Sequence, residues 1–178
     1  QEICFSRKDD KVQAASTNAD LFVVPVKGGE AKQIANSPGY DGACRYSPDG
    51  SLIAFRAQMR GGYESDRWRL LVYDRRAGTV RNLTEAFDRQ AGEPAWSADS
   101  KTLFFTAEED GRSPLFAVPA AGGPVKRILE GGTFGDPRVA GRHLVFTKVA
   151  LTHPAEIYRA GPDGAGLTAL TKTNDAFL

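Results

Sequence analysis

Acyl transfer by a serine nucleophile needs a Ser on a strained G-x-S-x-G turn, with an acid and a histidine following later. The 178-residue chain holds one G-x-S, in GRSPL (111–115). Its fifth residue is Leu115 rather than Gly, and Pro114 follows Ser113 where an elbow must turn. We read it as a chance match. Of the two histidines, His143 lies in the strand-like run GRHLVF and His153 in a loop, and both read as structural or surface residues. No segment brings two His, Cys, Asp or Glu to metal-ligand spacing, so neither metal nor other cofactor is expected. Cys4 and Cys44 sit in strand-like runs and read as free, small hydrophobic residues, with a disulfide between them left open.

What remains is one polar loop, RAQMRGGYESDRWR (56–69). It concentrates Arg60, Tyr63, Glu64, Asp66, Arg67 and Trp68. Aromatic and Arg side chains are the usual anchors of an interface. The plainest reading is a solvated loop with an internal Asp66–Arg ion pair. The connector EAFDRQAGE (85–93) is expected on the same face. Two smaller features carry bland readings: the Asn82-Leu83-Thr84 sequon as a coincidence, and RKDDK (7–11) as a solvated loop.

The elements that would position this loop are legible as a repeat. YSPDGSLIAF (46–55) recurs as WSADSKTLFF (96–105), fifty residues on. RLLVYDRRAGTVRNLT (69–84) aligns with PLFAVPAAGGPVKRIL (114–129), DLFVVPVKGGEAKQIA (20–35) and EIYRAGPDGAGLTALT (156–171). Each unit reads strand, tight turn, strand, longer loop, strand, Gly-containing turn, strand. In the tight turn Pro48 presets φ, Asp49 can bond its own backbone and Gly50 supplies the left-handed corner. Four short antiparallel strands every 40–50 residues are the signature of a propeller blade. A sandwich also has short strands, but it does not require one phrase with one turn chemistry throughout. No amphipathic helix is expected, and EAFDRQ (85–90) reads as a connector.

The fold class is therefore all-β: a β-propeller fragment of about four four-stranded antiparallel blades, the first incomplete. The blades fall at about 1–36, 40–84, 92–129 and 134–171. Sliding the repeat back by fifty places Phe5 on Phe55, so QEICF is a second strand whose partner and SPDG turn are missing. That points to a piece of a longer chain, with open blade ends that two copies could cover by self-association. The loop between Phe55 and Leu70 has 14 residues and that between Phe105 and Leu115 has 9, which makes the first the outlier. Basic and acidic residues number 23 and 22, so no nucleic acid or anionic membrane is expected as a partner. No apolar run is long enough to span a bilayer, and no signal peptide is visible in QEICFSRKDD.

YSPDGSLIAF, ESDRWRLLVYD (64–74) and LTEAFDR (83–89) together resemble the propeller domain of the prolyl oligopeptidase family of serine peptidases. The likeness is to its acylaminoacyl-peptidase and dipeptidyl-peptidase branch, and it covers nearly the whole chain. TolB-like propellers share the SPDG hairpin. The resemblance implies a non-catalytic N-terminal propeller that precedes a C-terminal α/β-hydrolase domain, caps its active site and restricts or orients peptide substrates. It gives the 56–69 loop two further roles, contact with the hydrolase domain or anchoring of a peptide N-terminus by a bare carboxylate. It also favours a periplasmic or secreted location. The alternative is a TolB-like propeller that binds a protein partner. Catalysis within the propeller itself is disfavoured, because no acid/base pair stands in register on the first strands.

Overall fold

The computed structural model describes residues 1–9 and 16–174. Asp10 and Lys11 of the RKDDK stretch lie outside them. The chain divides into two units, Gln1–Ala91 and Gly92–Leu178. All regular structure in the described residues is β-strand, as expected, in one sheet of three strands and three of four.

The first unit holds two antiparallel sheets. One is β1 (Glu2–Arg7), β2 (Asp20–Pro25) and β3 (Lys32–Ala35); the other is β4 (Asp41–Tyr46), β5 (Leu52–Ala57), β6 (Arg69–Asp74) and β7 (Thr79–Asn82). The second unit repeats the pattern. Its sheets are β8 (Ala95–Trp96), β9 (Thr102–Thr106), β10 (Leu115–Pro119) and β11 (Lys126–Leu129), then β12 (Thr133–Ala140), β13 (His143–Ala150), β14 (His153–Ala160) and β15 (Thr168–Ala169). Strands follow one another in chain order within every sheet, so each connection is a hairpin.

The SPDG hairpin forms because its side chains replace backbone partners. Gly50 N–H donates to the Ser47 carbonyl at 2.8 Å with Gly50 at φ +71°, and Asp49 Oδ1 accepts from Ser51 N–H at 3.0 Å. Ser47 Oγ accepts the Leu52 N–H at 3.0 Å. WSADS makes the same turn. Ser100 N–H donates to Ser97 at 3.0 Å and Ser97 Oγ accepts the Thr102 N–H at 2.9 Å. Here Ser100 adopts φ +62°, so a residue with a Cβ carries the strain that glycine avoids.

The central strands are buried on both faces. Ile53, Ala54 and Phe55 are sealed from solvent, as are Leu103, Phe104 and Phe105. This explains why LIAF and LFF read as unbroken apolar runs rather than alternating ones. The core of the first unit joins Leu21, Val23, Ile53, Phe55, Leu71 and Tyr73; that of the second joins Phe104, Leu115, Phe134, Leu144 and Phe146.

Three features depart from the sequence reading. Cys4 and Cys44 are not free. They form a disulfide across a Cα–Cα distance of 6.4 Å, joining β1 to β4 of the neighbouring sheet. Forty residues separate them, and only the packing of consecutive sheets makes them adjacent. His153 does not lie in a loop; it opens β14, because the β13–β14 hairpin extends well past the LVF and EIY cores. Finally, β4 and β12 each carry a bulge at an equivalent place. Register shifts between Gly42 and Arg45 and between Gly135 and Arg138, with Ala43 at φ +54° and Asp136 at φ +47°. An extra residue in one strand bends it and leaves one position unpaired.

Candidate functional site

The long loop leaves β5 and enters β6, and its anchors are internal. Asp66 sits at its centre. One carboxylate oxygen accepts the Met59 N–H at 2.7 Å and the Arg60 N–H at 3.0 Å, and meets Arg69 at 3.3 Å. Burial alone would raise this carboxyl, but the N–H groups of Met59, Arg60 and Arg67 and the Arg69 charge outweigh it and hold it below the ordinary value. Asp66 is therefore a staple for the loop, with Arg69 as its ion-pair partner. Gln58, buried where β5 ends, donates to the Glu64 carbonyl at 2.9 Å and the Asp66 carbonyl at 2.8 Å. Its role was missed in the sequence. The signal was a polar residue closing the apolar run LIAFRA.

Neighbouring segments clamp the loop from outside. Gly39 N–H donates to the Gln58 carbonyl at 3.1 Å, and Gln58 N–H to the Tyr40 carbonyl at 3.0 Å. A Cβ on Gly39 would lie 2.8 Å from Gln58 Cβ, and one on Gly61 would lie 2.7 Å from the Pro38 carbonyl oxygen. These close approaches require glycine. Gly62 N–H reaches Thr17 Oγ1 at 2.9 Å.

Arg67 and Trp68 face the 85–91 connector. The Arg67 guanidinium donates to the Glu85 carbonyl at 3.0 Å and also to that of Phe87, and the Ala91 N–H donates to the Trp68 carbonyl at 2.9 Å. The Trp68 ring packs edge-on against Tyr40 at 5.7 Å, with Arg56 over it at 4.7 Å. Both residues are thus committed to the scaffold. Arg60, Tyr63 and Glu64 are exposed. The Arg60 guanidinium stacks on the Tyr63 ring at 3.4 Å from its centroid. Six candidates thus divide into three that hold the loop and three that it presents, among them one exposed carboxylate, Glu64.

Asp41 is fully buried at the start of β4, paired with Ala57 at the end of β5. Its Oδ2 accepts the Ser37 N–H at 2.8 Å, while Oδ1 has no partner among the described residues. Burial pushes its carboxyl up to about 6, opposed by the Ser37 hydrogen bonds and reinforced by the negative charge of Asp20. Ser113 lies just before β10, in an isolated parallel bridge to Thr133, and its carbonyl accepts the Phe134 N–H at 3.0 Å. Among the described residues no three His, Cys, Asp or Glu side chains form a metal-binding group.

Residues 9–176 match the family model described as the TolB beta propeller domain. The chain belongs to the TolB β-propeller family. Among curated proteins, this propeller is 29% identical over 174 residues to dipeptidyl-peptidase 5 of Porphyromonas gingivalis, covering 97% of this chain and 25% of the relative. A probable dipeptidyl-peptidase 5 of Aspergillus clavatus is 27% identical, over 97% of this chain and 26% of that protein. The chain thus spans about a quarter of the length of the curated relatives it matches. Among solved structures, the Pyrococcus horikoshii acylaminoacyl peptidase superposes with a TM-score of 0.75 at 21% identity, covering 99% of this chain and 26% of that one. These matches bear out the resemblance to the peptidase propellers, and the TolB likeness noted beside it is the family itself.

Proposed function

We propose that this propeller is the non-catalytic segment of a peptidase of the prolyl oligopeptidase type. It caps the active site of an α/β-hydrolase domain and orients short peptides by holding their N-terminal ammonium. The observation that carries this reading is the division of labour within the 56–69 loop. Asp66 and Gln58 fix its backbone, and the loop presents Glu64, an exposed carboxylate, beside the stacked Arg60–Tyr63 pair. A carboxylate on a rigid loop is what capture of an ammonium needs. The dipeptidyl-peptidase 5 relatives support a peptide as the substrate class.

The Cys4–Cys44 disulfide supports a periplasmic or secreted location, since such bonds persist in oxidising compartments. The family match keeps a second reading in view, a TolB-type module that binds a protein partner. Labelling with a serine-hydrolase probe separates the two. In the full-length gene product the peptidase reading expects labelling at a G-x-S-x-G serine outside this chain and none within residues 1–178. A full-length product that no such probe labels would favour the binding module.

A further inference from the structure

The internal repeat allows one site to be compared with its own counterpart. In the first unit the cleft between the two sheets is filled at its hairpin end. Tyr46 O–H donates to Glu2 at 3.1 Å, Arg75 pairs with the same carboxylate at 2.8 Å, and the Arg75 guanidinium lies 5.5 Å from the Tyr46 ring centroid. Strand register identifies the matching positions in the second unit. Tyr46 pairs with Ile53 and Val139 with Leu144, so Val139 replaces the tyrosine. Ile53 pairs with Tyr73 and Leu144 with Ala160; two residues on, Pro162 replaces Arg75. Glu2 pairs with Pro25 and Thr102 with Pro119, so Thr102 replaces the glutamate.

All three replacements are smaller or lack the charge, and the cleft stays open there. Val139, Pro162 and Thr102 line a cavity of about 310 Å³ in the second unit, with Phe104 and Leu144 as further apolar wall. Ser97, Asp99, Arg142 and His143 add polar groups to its lining. An apolar cavity of about 150 Å³ is enough to take a benzene ring, so this one has room for an aromatic side chain.

We propose that this cavity is a binding site for a phenolic ring, the side chain of a tyrosine carried by a peptide. The counterpart cleft shows which shape and chemistry complete the space: a tyrosine whose hydroxyl meets an oxygen acceptor. The aliphatic and aromatic walls take the ring, and Thr102 and Asp99 supply oxygen acceptors for the hydroxyl. The site is distinct from the 56–69 loop, which belongs to the first unit.

The test is a titration of the protein with N-acetyl-tyrosinamide, followed by backbone amide NMR. Saturable shifts are expected at Val139, His143 and Leu144, with a Kd on the order of a millimolar. N-acetyl-leucinamide should bind at least about tenfold more weakly, since it lacks both the ring and the hydroxyl. Val139→Tyr should fill the cavity and remove binding. Pro162→Arg, which rebuilds the other half of the first-unit arrangement, should weaken it and serves if Val139→Tyr does not fold. No saturable shift at these amides, equal binding of the leucine analogue, or unchanged affinity in a folded variant would overturn the proposal.

Discussion

Two aspartates of the first unit carry opposite pKa shifts, and each gives stability a different dependence on pH. Asp41 is buried with one oxygen unpartnered among the described residues, and its carboxyl is pushed up to about 6. Between about pH 4 and 6 the folded protein holds a proton that the unfolded chain has released, so stability falls as pH rises through that window. Above it the deficit is constant, roughly 3 kcal/mol. Asp41→Asn should flatten this part of the stability curve, measured by urea unfolding across pH 4–7; a slope unchanged from the parent would contradict the assignment. Asp66 works the other way. Its carboxyl is held low by backbone N–H groups and Arg69, so its contribution is complete above the ordinary Asp value and is lost as pH falls below about 4. Asp66→Ala leaves the Met59 and Arg60 amides without their acceptor and should cost about 1–3 kcal/mol. Hydrogen exchange at those two amides reads the effect locally. The Asp66–Arg ion pair was expected from the sequence; the backbone N–H groups that the two aspartates satisfy were not, because they lie in turns whose geometry the residue pattern does not specify.

The strands and hairpins were the legible part of the sequence. SPDG and its relatives name a turn with a mechanism, and apolar runs such as LIAF and LFF mark strands buried on both faces. Non-local pairings were not legible. The disulfide depends on how β1 lies against β4 of the next sheet, and nothing in the spacing of Cys4 and Cys44 encodes that. The bulges in β4 and β12 had a faint signal, the shared Gly-x-x-Arg of GACR and GDPR, which only the register makes meaningful. At this scale the disulfide is the sharpest element to test. It closes a long loop, so its reduction should cost about 2–4 kcal/mol and lower Tm by several degrees. Thermal unfolding of Cys4→Ser/Cys44→Ser against the oxidised parent checks this, and equal Tm values would show that the staple is idle.

Across the whole molecule, the family and fold class were readable because repetition amplifies weak local signals. The division within the 56–69 loop was not. Sequence offers Glu64 and Asp66 as carboxylates of one loop and gives Asp66 an Arg partner, but only the fold commits Asp66 to the backbone and leaves Glu64 exposed. In the function we propose, Glu64 holds a peptide N-terminus for a hydrolase domain. Steady-state kinetics of the full-length protein carrying Glu64→Gln tests it most directly, using dipeptidyl substrates with free and with acetylated N-termini. KM for the free substrate is expected to rise by about tenfold or more, the loss of one charge-assisted contact, while kcat and the acetylated substrate change little. Equal KM values for parent and variant on the free substrate would contradict it.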